Sequence, residues 1–125
     1  MIIDADVAID ILRRRPEAKA WFTGLSDRPN LSGAAAWEVI FGARSAVELR
    51  QVRTFLALFP IIWPTEADAR AVAELAEYRL SDGIDILDSL TAVIARRTGE
   101  PIATFNVKHF RAIPGLTTIQ PYERS

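Results

Sequence analysis

The first six residues, Met1-Ile2-Ile3-Asp4-Ala5-Asp6, constrain the chain more than any other stretch. A short apolar run stops at two carboxylates, and an amphipathic segment follows at once. This pattern predicts a buried strand whose carboxyl end delivers Asp4 into a loop. In open α/β sheets, ligands sit just outside the carboxyl ends of the strands. Asp4 therefore stands where chemistry is usually done, and the question becomes which other groups gather there.

The rest of the chain alternates longer helical stretches with short apolar runs. Residues 6–15 read as a helix that Asp6 could cap, and Pro16 suits the first turn of a second helix over 16–25. A brief strand at Leu31-Ser32 precedes helices over 34–43 and 47–59, with Gly42 hinting at a break. Ile61–Trp63, bracketed by prolines, reads as a strand. Thr65-Glu66-Ala67-Asp68 resembles a capping box that opens a helix to about Leu80, with Ala69, Val72, Ala73, Leu75 and Ala76 inward. Ile86, Leu87, Leu90, Val93 and Ile94 form a helical stripe that ends at Gly99. Strands at 102–104 and 116–119 follow, separated by a loop or single helical turn over 106–110. The order predicts an α/β fold: one domain spanning 1–125, with a short parallel sheet of four to five strands and helices on both sides.

Composition narrows the function classes. With 125 residues, half of them apolar, the chain can bury one core. No apolar run is long enough for a membrane span, and the opening strand does not read as a signal peptide. There is no cysteine, which removes disulfides and thiolate metal sites and fits a cytoplasmic protein. Fifteen basic against sixteen acidic residues give a net charge of −1. Such a chain binds nucleic acid only where its cations cluster.

The acids that fall at strand ends and helix starts are Asp4, Asp6, Asp85 and Asp88. Glu38 lies mid-helix between Trp37 and Val39, and Asn106 directly follows the fourth predicted strand. If the first strand is central, the ends of strands one and four are neighbours, and Asp4, Asn106 and Asp88 face one crevice. Clustered carboxylates repel unless a cation compensates them. An all-oxygen set selects a hard ion, Mg²⁺ or Mn²⁺, and such ions serve phosphoryl chemistry. Plainer readings stand beside these. Asp4 could be a loop acid, Asp6 a helix cap and Asp85 a helix-start residue. Glu38 could be a solvated helix acid, His109 a surface residue or a substrate contact, and the three tryptophans core. Most basic clusters read as solvated helix ends, but Lys108 and Arg111 flank the acid crevice and could hold an RNA phosphate.

Four stretches together resemble the PIN domain, and within it the VapC-type toxins of toxin–antitoxin pairs. They are Ile2–Asp10, Trp37–Ala43, Ile86–Ala92 and Ile102–Phe110, in order and across nearly the whole chain. The resemblance implies a Mg²⁺- or Mn²⁺-dependent endoribonuclease, a cognate antitoxin and a homodimer. It implies Asp4, Glu38 and Asp88 as the metal-binding acids and Asn106 as a fourth catalytic position that is Asp in some members. Asp6 and Asp85 are possible secondary ligands. Asp6 stands where the family often has Asn or Ser, and His109 where many members have an acid. Ala34-Ala35-Ala36 replaces a polar residue common near Glu38. Asp4-Ala5-Asp6 also looks like the opening of haloacid-dehalogenase-type phosphatases, with Asp4 as nucleophile. A third reading is a PIN-fold binding module that has lost catalysis.

Overall fold

The computed structural model describes residues 1–124. Its first strand, β1 (Ile2–Ile3), lies at the centre of a five-stranded sheet. The other strands are β2 (Asn30–Ser32), β3 (Ile61–Ile62), β4 (Ile102–Ala103) and β5 (Thr118–Ile119). They run in the order β3-β2-β1-β4-β5, every neighbouring pair parallel. In register, Ile3 stands opposite Leu31 on one side and Ala103 on the other. The residues that follow β1 and β4 therefore emerge side by side, as the sequence predicts for a central first strand.

Helices cover both faces. α1 (Ala5–Leu12), α2 (Pro16–Thr23), α3 (Gly33–Phe41) and α4 (Ala46–Leu56) fill the first half of the chain. α5 (Glu66–Ala71), α6 (Ala76–Asp82), α7 (Ile86–Thr98) and the single turn α8 (Val107–Phe110) follow. Successive strand residues point to opposite faces, and β1 divides its two accordingly. Ile3 joins a core with Val7, Leu31, Val39, Val52 and Phe55. Ile2 joins a second core with Leu75, Ile84, Val93, Ile102 and Phe110.

Several expected details differ. Asp4, not Asp6, is the N-cap of α1: its side chain accepts from the Ala5 N–H. α3 stops at Phe41 and not at Ala43, with Gly42 as its C-cap, the break that this glycine hints at in the sequence. The capping box at Thr65 and Asp68 forms, but the helix it opens does not continue unbroken to Leu80. Residues Val72–Leu75 form a 3₁₀ turn between α5 and α6. A three-residue period puts Val72 and Leu75 on one face, and these two point inward while Ala69, Ala73 and Ala76 are exposed. Trp37 and Trp63 are not core. Both are substantially exposed and lean on each other with ring centroids 6.1 Å apart.

Candidate active site

Asp4 leaves the carboxyl end of β1 and is buried almost completely. Its two oxygens have fixed partners. Oδ1 accepts from the Ala5 N–H at 2.9 Å, and Oδ2 accepts from the Thr104 hydroxyl at 3.0 Å. Thr104 follows β4, so this bond ties together the ends of the two central strands. The same hydroxyl oxygen accepts the Asn106 N–H at 3.0 Å. Asn106 thus reaches Asp4 through one intervening residue, on the crevice edge where the sequence predicts it. Thr104 is the residue that sequence reasoning missed. Nothing marks a lone threonine at the end of an apolar run as a junction until the register of β1 against β4 is known.

Asp88 sits in the first turn of α7, and that turn is built by Asp85. As N-cap, Asp85 accepts the Asp88 N–H at 2.7 Å, and its carbonyl accepts the Ser89 hydroxyl. Asp85 itself is exposed, and its place is that of a cap which orients the neighbouring acid. His109 Nδ1 lies 3.1 Å from Asp88 Oδ2, so α8 touches this carboxylate directly. Glu38 rides on α3, half-buried. The helices that carry Glu38 and Asp88 are pinned to each other where Ser32, the N-cap of α3, meets Thr91 of α7 at 2.8 Å between hydroxyls.

Asp6 borders the same edge, but both its oxygens are engaged. Oδ1 accepts from the Val7 N–H, and Oδ2 from the Phe105 N–H at 2.9 Å. It straps α1 to the turn after β4. Lys108 and Arg111 lie exposed on and just after α8, and their side chains are not tied to any of the candidate acids.

Burial and neighbouring charge act on several of these acids. Burial, then the charges of Asp6 and Asp88, push the Asp4 carboxyl up to about 7. Burial, then Asp85, Asp88 and Asp6, raise Glu38 to about 7. Asp88 is raised by burial and by Asp85, against the lowering influence of His109. Asp6 is raised mainly by burial, against its backbone donors. The charges of Asp6 and Asp88 act on both Asp4 and Glu38, and no cation is paired with Asp4 or Glu38 among the described residues. Opposed acids held in place are what a divalent ion would relieve, and the all-oxygen donors fit a hard one. In spacing the set is open: among the described residues, no three His, Asp or Glu side chains stand close enough to grip one ion together.

A parallel sheet that sets buried Asp4 at the carboxyl end of its central strand, beside Thr104 after β4, defines an α/β domain with an acid at the sheet edge where such folds place their sites. The chain belongs to the PIN domain family, whose pattern its residues 1–116 match. Its fold is that of VapC-type toxins. It is similar to a chain of a toxin–antitoxin complex from Klebsiella pneumoniae, at 26% identity and a TM-score of 0.78 over 98% of both chains. It is similar to a chain of a DNA-bound VapBC complex from Salmonella typhimurium, at 20% identity and a TM-score of 0.77, covering 94% of this chain and 95% of that one. A third neighbour is VapC20 from Mycobacterium tuberculosis, described as a sarcin–ricin loop cleaving toxin. There the identity is 11% and the TM-score 0.74, covering 90% of this chain and 94% of the other. No curated protein matches the chain by sequence.

Proposed function

We propose that this protein is a Mg²⁺- or Mn²⁺-dependent endoribonuclease that acts as a VapC-type toxin and is restrained by a cognate antitoxin. The observation that carries this reading is that Asp4, at the end of β1, and Glu38, on α3, are both pushed up to about 7, first by burial and then by neighbouring acids that in each case include Asp6 and Asp88. Asp4 and Asp88 would hold the ion. Glu38, the least buried of the three, would complete the set directly or through a water. A bound Mg²⁺ or Mn²⁺ supplies an activated water and neutralises charge on a phosphodiester. The chain supplies the frame: Thr104 and the α1 cap fix Asp4, and Asp85 and His109 fix Asp88. Asn106, one hydrogen bond from Thr104, orients solvent or RNA at the edge.

The partners follow the same reading. RNA is the substrate. Exposed Phe41, one turn beyond Trp37 and its neighbour Trp63, offers an apolar surface that supports a protein partner, whether antitoxin or second copy. No helix among the described residues is long and apolar enough to cross a membrane. The phosphatase reading has less support. It needs a lysine beside the nucleophile, and Lys108 makes no bond to Asp4.

The test is Asp4→Asn. Asparagine keeps the shape, the helix cap and a partner for Thr104, and removes the charge. Cleavage of total RNA in Mn²⁺ should disappear while the circular dichroism spectrum is unchanged. A variant that cleaves as fast as the parent overturns the reading.

A further inference from the structure

The chain leaves β5 at the outer edge of the sheet, yet the residues that follow finish against α1, the helix after the central strand. Tyr122 and Arg124 are held there by Asp10, a buried carboxylate on α1. The Tyr122 hydroxyl donates to Asp10 Oδ2 at 2.8 Å, and Arg124 Nε donates to the same oxygen at 3.1 Å. Arg15 Nε lies 3.4 Å from Oδ1. A buried charge is costly without partners, so this carboxylate anchors the segment. β4 stands between β5 and β1, and residues 120–124 therefore pass over its carboxyl end.

What they pass over is Phe105. Its ring meets Tyr122 edge-on with centroids 5.0 Å apart, and the Arg124 guanidinium lies 4.0 Å from its centroid. Such a cation is attracted to the face of the ring. Arg124 Nη2 also donates to the Asp6 carbonyl at 3.4 Å, and the Phe105 N–H donates to Asp6 Oδ2. Phe105 is thus gripped by its ring and by its backbone, and both grips lead to α1. It lies between Thr104, which bonds Asp4, and Asn106. The Asn106 side chain makes no cap bond to α8, so the backbone of this turn decides where it points.

We propose that Tyr122 and Arg124 are positioning residues, which clamp Phe105 and so hold the turn that presents Asn106 at the Asp4 edge. The use of Asn106 rests on the ribonuclease reading; the grip on the turn does not. Neither residue bonds Asp4, Glu38 or Asp88, so both act through Phe105.

The test compares Arg124→Gln with Arg15→Gln in the full chain. Both remove a cation from Asp10, but only Arg124 touches Phe105. Amide hydrogen exchange is followed in a chelator, without RNA. In Arg124→Gln the Phe105 and Asn106 amides should exchange roughly tenfold faster than in the parent, while β1 and α7 stay as protected as before. Tyr122→Leu, which removes the aromatic ring and the hydroxyl together, should loosen the same two amides. Arg15→Gln should leave the turn unchanged. With a short RNA at saturating Mn²⁺, Arg124→Gln should lower kcat roughly tenfold and leave KM within about twofold. Unchanged exchange at the turn in Arg124→Gln or Tyr122→Leu overturns the clamp. Faster exchange spread evenly over the chain, or an equal effect of Arg15→Gln, overturns it too, since either marks a general loss of stability. A raised KM with kcat unchanged overturns the positioning role, because it makes Arg124 an RNA contact. If the parent does not cut RNA in Mn²⁺, the nuclease reading falls, and exchange at Phe105 and Asn106 still decides the clamp.

Discussion

At the residue scale, Thr104 is the smallest group with the widest reach. Its hydroxyl donates to Asp4 Oδ2, lies 3.4 Å from Asp6 Oδ2, and accepts from the Asn106 backbone. Thr104→Val keeps the volume and removes all three contacts. A buried carboxylate and an amide then lose a partner, which costs about 1–3 kcal/mol. Urea denaturation should show that loss, and cleavage should fall as well, because Asp4 is freed to rotate. Full activity with full stability would show that Asp4 is held by its helix cap alone. The acids were legible in the sequence because a charge at the end of an apolar run is conspicuous. Thr104 and Asp10 were not. A threonine belongs in a strand on propensity alone, and Asp10 reads as a helix surface acid until Tyr122 and Arg124, over a hundred residues later, close over it.

At the element scale, the first turn of α7 joins two roles in one acid. Asp85 both caps the helix and adds negative charge near Asp88 and Glu38, and substitution separates the two roles. Asp85→Ser keeps the cap and removes the charge. Asp85→Ala removes both and should cost about 1 kcal/mol of stability. If capping is what matters, the serine variant keeps parental stability and Mn²⁺ affinity, and the alanine variant loses on both counts. Equal loss of Mn²⁺ affinity in the two, measured by calorimetry, would make Asp85 a ligand. Element order and type were readable throughout, because strands bracketed by Pro or Gly and helices with apolar stripes announce themselves. The ends were less so. The expected helix over 65–80 breaks at Val72 because the chain buries Val72 and Leu75 at the cost of regular α geometry. That preference comes from the tertiary core, and a periodicity in sequence does not carry it.

At the scale of the whole molecule, the fold brings acids from distant segments into recessed places where burial and neighbouring charge raise them, so stability depends on pH, and on the proposed reading metal binding does too. Asp4 rises from an ordinary 3.8, and Glu38 from 4.5, to about 7 in the folded chain. Between those limits the native state keeps protons that the unfolded state has released. Their contribution to stability is therefore complete below about pH 4, and it is lost as pH climbs through 7. Glu38 is half-open to solvent and counts for less than Asp4. Asp68, held below its ordinary value by Arg97 despite burial, acts in the opposite sense. Its contribution is already complete above about pH 5, so it does not mask the trend above that point. In a chelator, the melting temperature should fall by several degrees from pH 5 to pH 8, and Asp4→Asn should flatten most of that slope. On the proposed reading, millimolar Mn²⁺ would bind the ionised acids and so stabilise the state that holds it. It should raise the melting temperature clearly at pH 8 and hardly at all at pH 5. Thermal melts of both proteins at both pH values, with and without Mn²⁺, make the comparison. An increment that is independent of pH, or equally large in Asp4→Asn, would mean that the ion binds elsewhere and that Asp4 is not where the repulsion is relieved.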